Sequence, residues 1–112
     1  MFDVACRVVR QEPLTANYWA LELAAGPIAD AARPGQFVHV RVPGLDRASL
    51  RRPFSIFGAQ AGALRLLYKR VGRGTESMTR LREGDEVQVI GPLGNGFPLA
   101  PQGEPVLVAG GY

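Results

Sequence analysis

The sequence contains very few of the residues that bind metals or form disulfides. Cys6 is the only cysteine and His39 the only histidine among 112 residues. This excludes an internal disulfide, a two-histidine metal site, a cysteine-ligated zinc site and a cysteine-ligated iron–sulfur cluster contained within the chain. Cys6 alternates with Val4 and Val8, so we expect it in the core. We expect His39 to be exposed or to face a partner.

Long hydrophobic runs and a strong charge of one sign are also missing. No apolar stretch reaches about 18 residues, and no charged segment followed by an apolar one stands at the amino end, so neither a membrane span nor a signal peptide is predicted. The formal charge of +3 comes from 13 basic and 10 acidic residues, far less than the basic stripes of nucleic-acid-binding proteins. We therefore expect a soluble, cytoplasmic protein with no nucleic-acid or membrane partner. Its modest positive charge suits one anionic ligand.

Alternation of apolar and polar residues, bounded by turn-forming residues, predicts seven strands. They cover residues 3–11, 17–23, 36–42, 53–58, 64–71, 85–90 and 105–109. Short strands at this spacing predict an all-β fold, a six- to seven-stranded antiparallel Greek-key barrel. One short helix is predicted over residues 76–82, with Thr75 capping its start and Gly84 beyond its end. Residues 27–34 are predicted to form a loop or a single turn.

The most informative motif pairs a fixed cation with a later glycine-rich turn. It reads Arg51-Arg52-Pro53-Phe54-Ser55-Ile56, then Leu67-Tyr68-Lys69, then Gly72-Arg73-Gly74-Thr75-Glu76. The planar guanidinium of Arg52 suits a diphosphate, and Pro53 restricts the backbone beside it. The two glycines let the backbone approach a ligand closely. In this order, the segments predict a flavin dinucleotide site.

Other polar and aromatic residues have plainer interpretations. A hydroxyl at Ser55 fits a donor to a flavin ring and a structural bond to the backbone equally well. One of Tyr18 and Trp19 must face inward and is expected to pack in the core. The segment 91–97, Gly-Pro-Leu-Gly-Asn-Gly-Phe, is either a structural loop with Phe97 closing the barrel mouth or a segment close to the flavin.

Together these motifs resemble those of the ferredoxin-reductase-like flavoproteins over essentially all 112 residues. Within that superfamily they are most similar to the electron-transfer subunits of class B dihydroorotate dehydrogenases. The resemblance implies an FAD site: Arg52 at the diphosphate, Ser55 at the flavin ring, and Gly74 with Thr75 at the phosphates. It further implies that Leu67, Tyr68 and Lys69 contact the flavin and ribityl edge and that Pro53 and Phe54 shape the pocket. No catalytic residue or metal ligand is implied within the chain.

The resemblance also implies a place in a larger enzyme. NADH would deliver a hydride to FAD, and single electrons would leave through a [2Fe-2S] cluster to the FMN-containing catalytic subunit of dihydroorotate dehydrogenase. That assembly is a heterotetramer in the family and serves pyrimidine biosynthesis. Residues 1–105 would form the FAD-binding barrel domain, and residues 106–112 the first strand of a truncated pyridine-nucleotide-binding domain. Because the NADH domain and the cluster cysteines are not in the sequence, we expect an oxidoreductase component that does not turn over alone.

Two other functions stay open from the sequence. The first is a different flavin reductase subunit, serving a hydrogenase, a ferredoxin or a sulfide-metabolising partner, because these enzymes share the barrel and most of its motifs. The second is a non-enzymatic β-barrel module that binds RNA or protein through its positive charge and exposed aromatic side chains.

Overall fold

The computed structural model describes residues 1–42, 51–97 and 103. These residues form six strands and two short helices, whose bounds are β1 Phe2–Pro13, β2 Tyr18–Ala24, α1 Pro27–Ala31, β3 Phe37–Arg41, β4 Arg51–Gln60, β5 Ala63–Lys69, α2 Arg73–Met78 and β6 Glu86–Leu93. The strands close into a barrel in the order β1-β2-β5-β4-β3-β6, and β6 pairs with β1. Every neighbouring pair is antiparallel. The predicted all-β antiparallel Greek-key barrel is confirmed, with six strands in the described part.

The predicted seventh strand, residues 105–109, lies outside the described residues. The same holds for residues 106–112, the predicted start of a second domain. The division of the chain at residue 105 therefore stays a prediction.

The barrel interior is filled by the inward-facing residues of the alternating strands. Core residues at every second position include Cys6 and Val8 on β1, Val38 and Val40 on β3, and Val87 and Val89 on β6. Burying one such aliphatic side chain stabilises the fold by about 1.5–3 kcal/mol. Cys6 is fully buried, as predicted, and desolvation raises the pKa of its thiol to about 11.

A two-residue turn joins β4 to β5. Its residues are Ala61 and Gly62, with φ angles of 51° and 79°. Positive φ at both central residues is typical of the hairpin turn whose twist matches that of the flanking strands. The carbonyl of Gly62 also accepts hydrogen bonds from the N–H groups of Ala25 and Gly26, which attach the turn to the start of α1.

The two helices differ from the predictions in number and bounds. Residues 27–34 were predicted as a loop or a single turn, and Pro27–Ala31 forms a helix of five residues with Ile28 fully buried. The second helix was predicted over residues 76–82, but it begins at Arg73 and ends at Met78. After Met78 the chain continues in tight turns, in which Leu81 N–H bonds to the Met78 carbonyl.

The predicted capping role of Thr75 is wrong, because Gly72 is the N-cap and Thr75 is the third residue of the helix. Its Oγ1 reaches back and accepts hydrogen bonds from Val71 N–H at 2.9 Å and Gly72 N–H at 3.1 Å. The hydroxyl therefore organises the turn that enters α2, as the third residue of a capping box does. Neither helix in the described part of the chain has the length and apolar character needed to span a membrane.

Candidate functional site

A pocket of about 270 Å³ opens between β4 and the turn that enters α2. Its described lining residues come from β4 and from the turn and first residues of α2: Arg52, Pro53, Phe54, Val71, Gly72, Arg73, Gly74 and Thr75. The two halves of the sequence motif, separated along the chain, thus meet at one site. Five of the nine predicted binding residues, Arg52, Pro53, Phe54, Gly74 and Thr75, line it.

Gly74 brings the start of α2 close to the Arg52 side chain. A Cβ atom built on Gly74 would lie 3.4 Å from Nε of Arg52 and 3.8 Å from its Cγ, which are ordinary van der Waals distances. Gly74 itself is buried. The lack of a side chain at position 74 therefore lets α2 pack closely beside Arg52.

The charge of the pocket is positive. Arg52 and Arg73 are both exposed, and no carboxylate is among the lining residues that the structure describes. Neither arginine takes part in the ion pairs found among the described residues, which are Arg10–Glu22, Arg65–Glu22 and Arg70–Glu76. Two guanidinium groups with free donors suit an anion that carries several oxygens, such as a diphosphate.

Backbone donors from the start of α2 add to this surface. The first N–H groups of a helix have no partner within the helix. Within residues 1–42 and 51–97, no backbone hydrogen bond uses the N–H groups of Arg73 or Gly74. The pocket lining thus combines two cations with two unused amides, which is the donor set that a phosphate group needs.

An aromatic pair forms the apolar wall of the pocket. Phe54 is 9% exposed and packs edge-on against Tyr68, with ring centroids 6.0 Å apart and an interplanar angle of 69°. Tyr68 lies behind Phe54 in the core, and its hydroxyl donates a hydrogen bond of 2.6 Å to Oε1 of Gln11. Burial raises the pKa of the Tyr68 phenol well above its ordinary range. The phenol is therefore a neutral donor at physiological pH.

The remaining predicted binding residues lie outside the pocket. Ser55 is exposed, and Leu67 and Lys69 are partly exposed. Successive residues of a strand face opposite sides, so these three occupy the outer face of the β4–β5 pair, whereas Phe54 and Tyr68 face inward. A ligand that fills the pocket would reach them only by extending along this outer face.

Comparison with known proteins gives the family. Residues 5–97 match the family model described as oxidoreductase FAD-binding domain. The chain belongs to this FAD-binding domain family. The membership favours the flavoprotein prediction over the RNA- or protein-binding module, because the matched region contains the whole pocket.

This FAD-binding domain is similar to parts of longer proteins. It is 40% identical over 108 residues to the dihydroorotate dehydrogenase B (NAD(+)) electron transfer subunit of Geobacillus sp. (strain WCH70), covering 93% of this chain and 42% of that protein. It is 45% identical over 97 residues to the same subunit of Desulforamulus reducens, covering 85% of this chain and 37% of that protein. The chain therefore spans well under half the length of these curated relatives.

A solved structure shows the same relationship. An NADH-dependent reduced ferredoxin–NADP oxidoreductase superposes with a TM-score of 0.76 at 28% identity, over 85% of this chain and 34% of that chain. The predicted resemblance to ferredoxin-reductase-like flavoproteins, and within them to electron-transfer subunits of class B dihydroorotate dehydrogenases, is confirmed. The predicted oxidoreductase class is confirmed with it.

The predicted 91–97 loop begins within β6, which ends at Leu93, and residues 94–97 pack against β3 and the turn before it. Gly94 has φ of +81°, and a Cβ there would lie 2.9 Å from Cε1 of Phe37. Its carbonyl accepts a hydrogen bond of 2.9 Å from Nε2 of Gln36. Phe97 is 67% exposed, so the predicted closure of the barrel mouth by this ring is wrong. No residue of the loop lines the pocket, and the contacts support its structural interpretation.

Two residues with other predicted roles, Trp19 and His39, can also be placed. Trp19 is partly buried and packs against the core, as expected for the inward member of its pair. His39 is only partly exposed, and its ring centroid lies 5.6 Å from that of Phe37. No group of three or more metal-binding side chains occurs in the part of the chain that the structure describes.

Arg73 and Gln11 are not among the binding residues predicted from the sequence. Arg73 stands between Gly72 and Gly74, which let the backbone approach a ligand closely. This position in the motif indicates that Arg73 could have been predicted as a binding residue. Gln11 has no such signal, because its role depends on contacts with residues far away in the sequence.

Proposed function

We propose that this domain is the FAD-binding part of an electron-transfer subunit of a class B dihydroorotate dehydrogenase. The observation that carries this proposal is the pocket that brings Arg52 of β4 together with Arg73 and Gly74 at the start of α2. The similarity to two such subunits supports the choice of enzyme. The full protein would take electrons from NADH and pass them through a [2Fe-2S] cluster to an FMN-containing catalytic subunit, in a cytoplasmic heterotetramer. NADH and the cluster would be bound outside the described barrel.

The residues present fit FAD at its diphosphate. Arg52 and Arg73 would pair with the phosphate oxygens, and the amides of Arg73 and Gly74 would donate to them. Ligand pockets commonly measure about 300–1,000 Å³. The pocket of about 270 Å³ is just below that range, so it would hold only part of a dinucleotide. The rest would lie along the outer face of β4 and β5, where Ser55, Leu67 and Lys69 stand.

The protein side of the chemistry is binding and electrostatics. Bound FAD would supply the redox chemistry, as cofactors do in flavoproteins. Among the described lining residues there is no histidine, cysteine, aspartate or glutamate, so these side chains offer no proton donor or acceptor of intermediate pKa. The apolar wall formed by Phe54 lowers the local dielectric constant and strengthens the bonds that Arg52 makes to an anion.

A flavin titration of the chain tests this proposal. Quenching of flavin fluorescence would be followed for FAD, FMN and riboflavin, which differ in their phosphate content and share the ring. We expect saturable binding that prefers FAD. Arg52→Ala should weaken FAD binding by about 2–4 kcal/mol, or roughly 30- to 1,000-fold, because one or two charge-assisted hydrogen bonds are lost.

Arg7→Ala is the matched control, since it removes the same charge from an exposed position on β1 that does not line the pocket. It should leave FAD affinity within about twofold of the parent, a change of under 0.5 kcal/mol. Equal losses in the two variants would mean that general charge, and no specific contact, attracts FAD. A folded parent chain that binds no flavin would contradict the proposal.

A further inference from the structure

One side-chain amide on β1 connects three elements behind the pocket. Nε2 of Gln11 donates hydrogen bonds to the carbonyl oxygens of Met78 at 2.9 Å and Leu81 at 3.0 Å. Oε1 of Gln11 accepts the hydroxyl of Tyr68 at 2.6 Å. The amide thus uses both of its N–H groups and one acceptor site. All three bonds join residues that are distant in sequence, so local chain geometry does not impose them.

These bonds join the two sides of the pocket. On the β4 side, Tyr68 packs against Phe54, which lines the pocket. On the α2 side, Met78 is the last residue of the helix whose first residues, Arg73 and Gly74, line it. Only residues 70–72 separate β5 from α2. The short loop therefore fixes one end of α2 against β5, and the Gln11 amide fixes the other.

The partners of Gln11 have little access to water. Tyr68 is 4% exposed, Met78 is fully buried and Leu81 is 7% exposed. A polar group in such surroundings is costly when it has no hydrogen bond. Without the amide, the Met78 carbonyl would keep its bond from Leu81 N–H, but the Leu81 carbonyl and the Tyr68 hydroxyl would lose the partners described here. The segment after α2 or the Tyr68 ring would then shift toward new partners. Either shift would change the separation between the two walls of the pocket.

We propose that Gln11 is a positioning residue for FAD binding, which sets the separation between the Arg52–Phe54 wall and the Arg73–Gly74 wall. The inference rests on the proposed function, because FAD is the ligand whose affinity would report that separation. Gln11 touches no lining residue directly and acts through Tyr68 and α2. Replacing Gln11 should therefore lower affinity most for a ligand that contacts both walls of the pocket.

Two substitutions of Gln11 distinguish its hydrogen bond with Tyr68 from its two hydrogen bonds to Met78 and Leu81. Gln11→Met keeps the length of the side chain and removes all three bonds. Gln11→Glu keeps an acceptor for the Tyr68 hydroxyl and removes both donors to α2. Gln88→Met is the matched control, because Gln88 is also a strand glutamine and its amide makes one exposed bond, to Asp3. All variants would be titrated at a temperature where denaturation curves show them fully folded.

Both Gln11 variants should bind FAD about 5- to 20-fold more weakly than the parent, the effect of losing one or two hydrogen bonds. Riboflavin lacks the diphosphate and should lose less than about twofold, a difference smaller than one hydrogen bond. A second measurement needs no ligand: amide hydrogen exchange over residues 73–81 should accelerate in the Gln11 variants and not in the control, while the barrel strands keep their protection.

The outcomes separate this inference from the proposed function. If the parent binds FAD and the Gln11 variants bind it equally well, the positioning role is overturned and the proposed function stands. If the parent binds no FAD, the proposed function fails and the positioning role fails with it, whatever the exchange data show. If exchange accelerates equally across the whole barrel, Gln11 serves only general stability and the inference is overturned.

Discussion

Gly74→Ala is expected to separate the stability of the domain from its ligand binding. Gly74 is the second residue of α2, and its φ lies outside the left-handed region, so alanine can adopt the same backbone conformation. The added Cβ would lie 3.4 Å from Nε of Arg52, 3.8 Å from Cγ of Arg52 and 3.9 Å from Cγ2 of Val42. These are ordinary van der Waals contacts, so the folded chain should accept the methyl group without rearrangement.

Gly74→Ala should raise the stability of the domain and lower its affinity for FAD. Alanine is favoured over glycine in helices by about 0.5–1 kcal/mol, which for a domain of this size corresponds to a Tm higher by roughly 2–5 °C. The same methyl group would pack against the Arg52 side chain and hinder its adjustment toward a diphosphate in the pocket that both residues line. Losing one charge-assisted hydrogen bond there costs about 1.5–3 kcal/mol, so FAD affinity should fall roughly 10- to 150-fold.

Thermal denaturation and FAD fluorescence titration of the same preparation would measure both effects. Gly58→Ala is the control: Gly58 stands on β4, its added Cβ would lie 3.9 Å from Cβ of Arg65, and it does not line the pocket. It should leave FAD affinity unchanged. A Gly74→Ala chain that is as stable as the parent and binds FAD equally well would show that the diphosphate does not lie between Arg52 and α2.

Two further predictions concern stability. Thr75→Val keeps the side-chain shape but removes the acceptor for two backbone amides, so urea denaturation should show a loss of about 1–2 kcal/mol. Thr79→Val removes only a hydroxyl that donates to the Glu76 carbonyl and should cost less; equal losses would contradict the turn-organising role of Thr75. Burial raises the pKa of Cys6 to about 11 and raises that of Tyr68, so the folded chain holds these protons more tightly than the unfolded chain does. The free energy of unfolding should therefore fall as pH rises above about 9, and this fall should be shallower in Cys6→Ala; parallel pH profiles from urea titrations would refute the assignment to Cys6.

The existence of the strands could be predicted from the sequence, but their ends could not. The alternation of apolar residues reports which side chains face the core, and it identified all six described strands. The ends depend on the pairing partner. β1 begins at Phe2 because Phe2 pairs with Gly91, and β6 extends to Leu93 because Leu93 pairs with Phe37. No local pattern contains that information.

The candidate site shows the same division between local and distant information. Arg52, Gly74 and Thr75 could be predicted as neighbours because each stands in a motif with a specific chemistry. Residues 67–69 were predicted to contact the flavin and ribityl edge together. Successive residues of a strand face opposite sides, so these three side chains do not share one face. Leu64, Leu66 and Tyr68 share the inward face of β5, so Tyr68 supports the pocket wall from behind. Applying the two-residue period to this segment would have separated Tyr68 from its neighbours.

The one acidic residue of α2 bears on whether the pocket can attract an anion. Glu76 follows Thr75 directly, and an unpaired carboxylate there would repel a diphosphate. Oε2 of Glu76 lies 3.5 Å from Nε of Arg70, and both side chains are close to half exposed. Such an exposed pair adds little to stability. The ion pair matters for charge, because Arg70 neutralises Glu76, the one carboxylate of α2. The positive charges of Arg52 and Arg73 therefore remain available to the ligand.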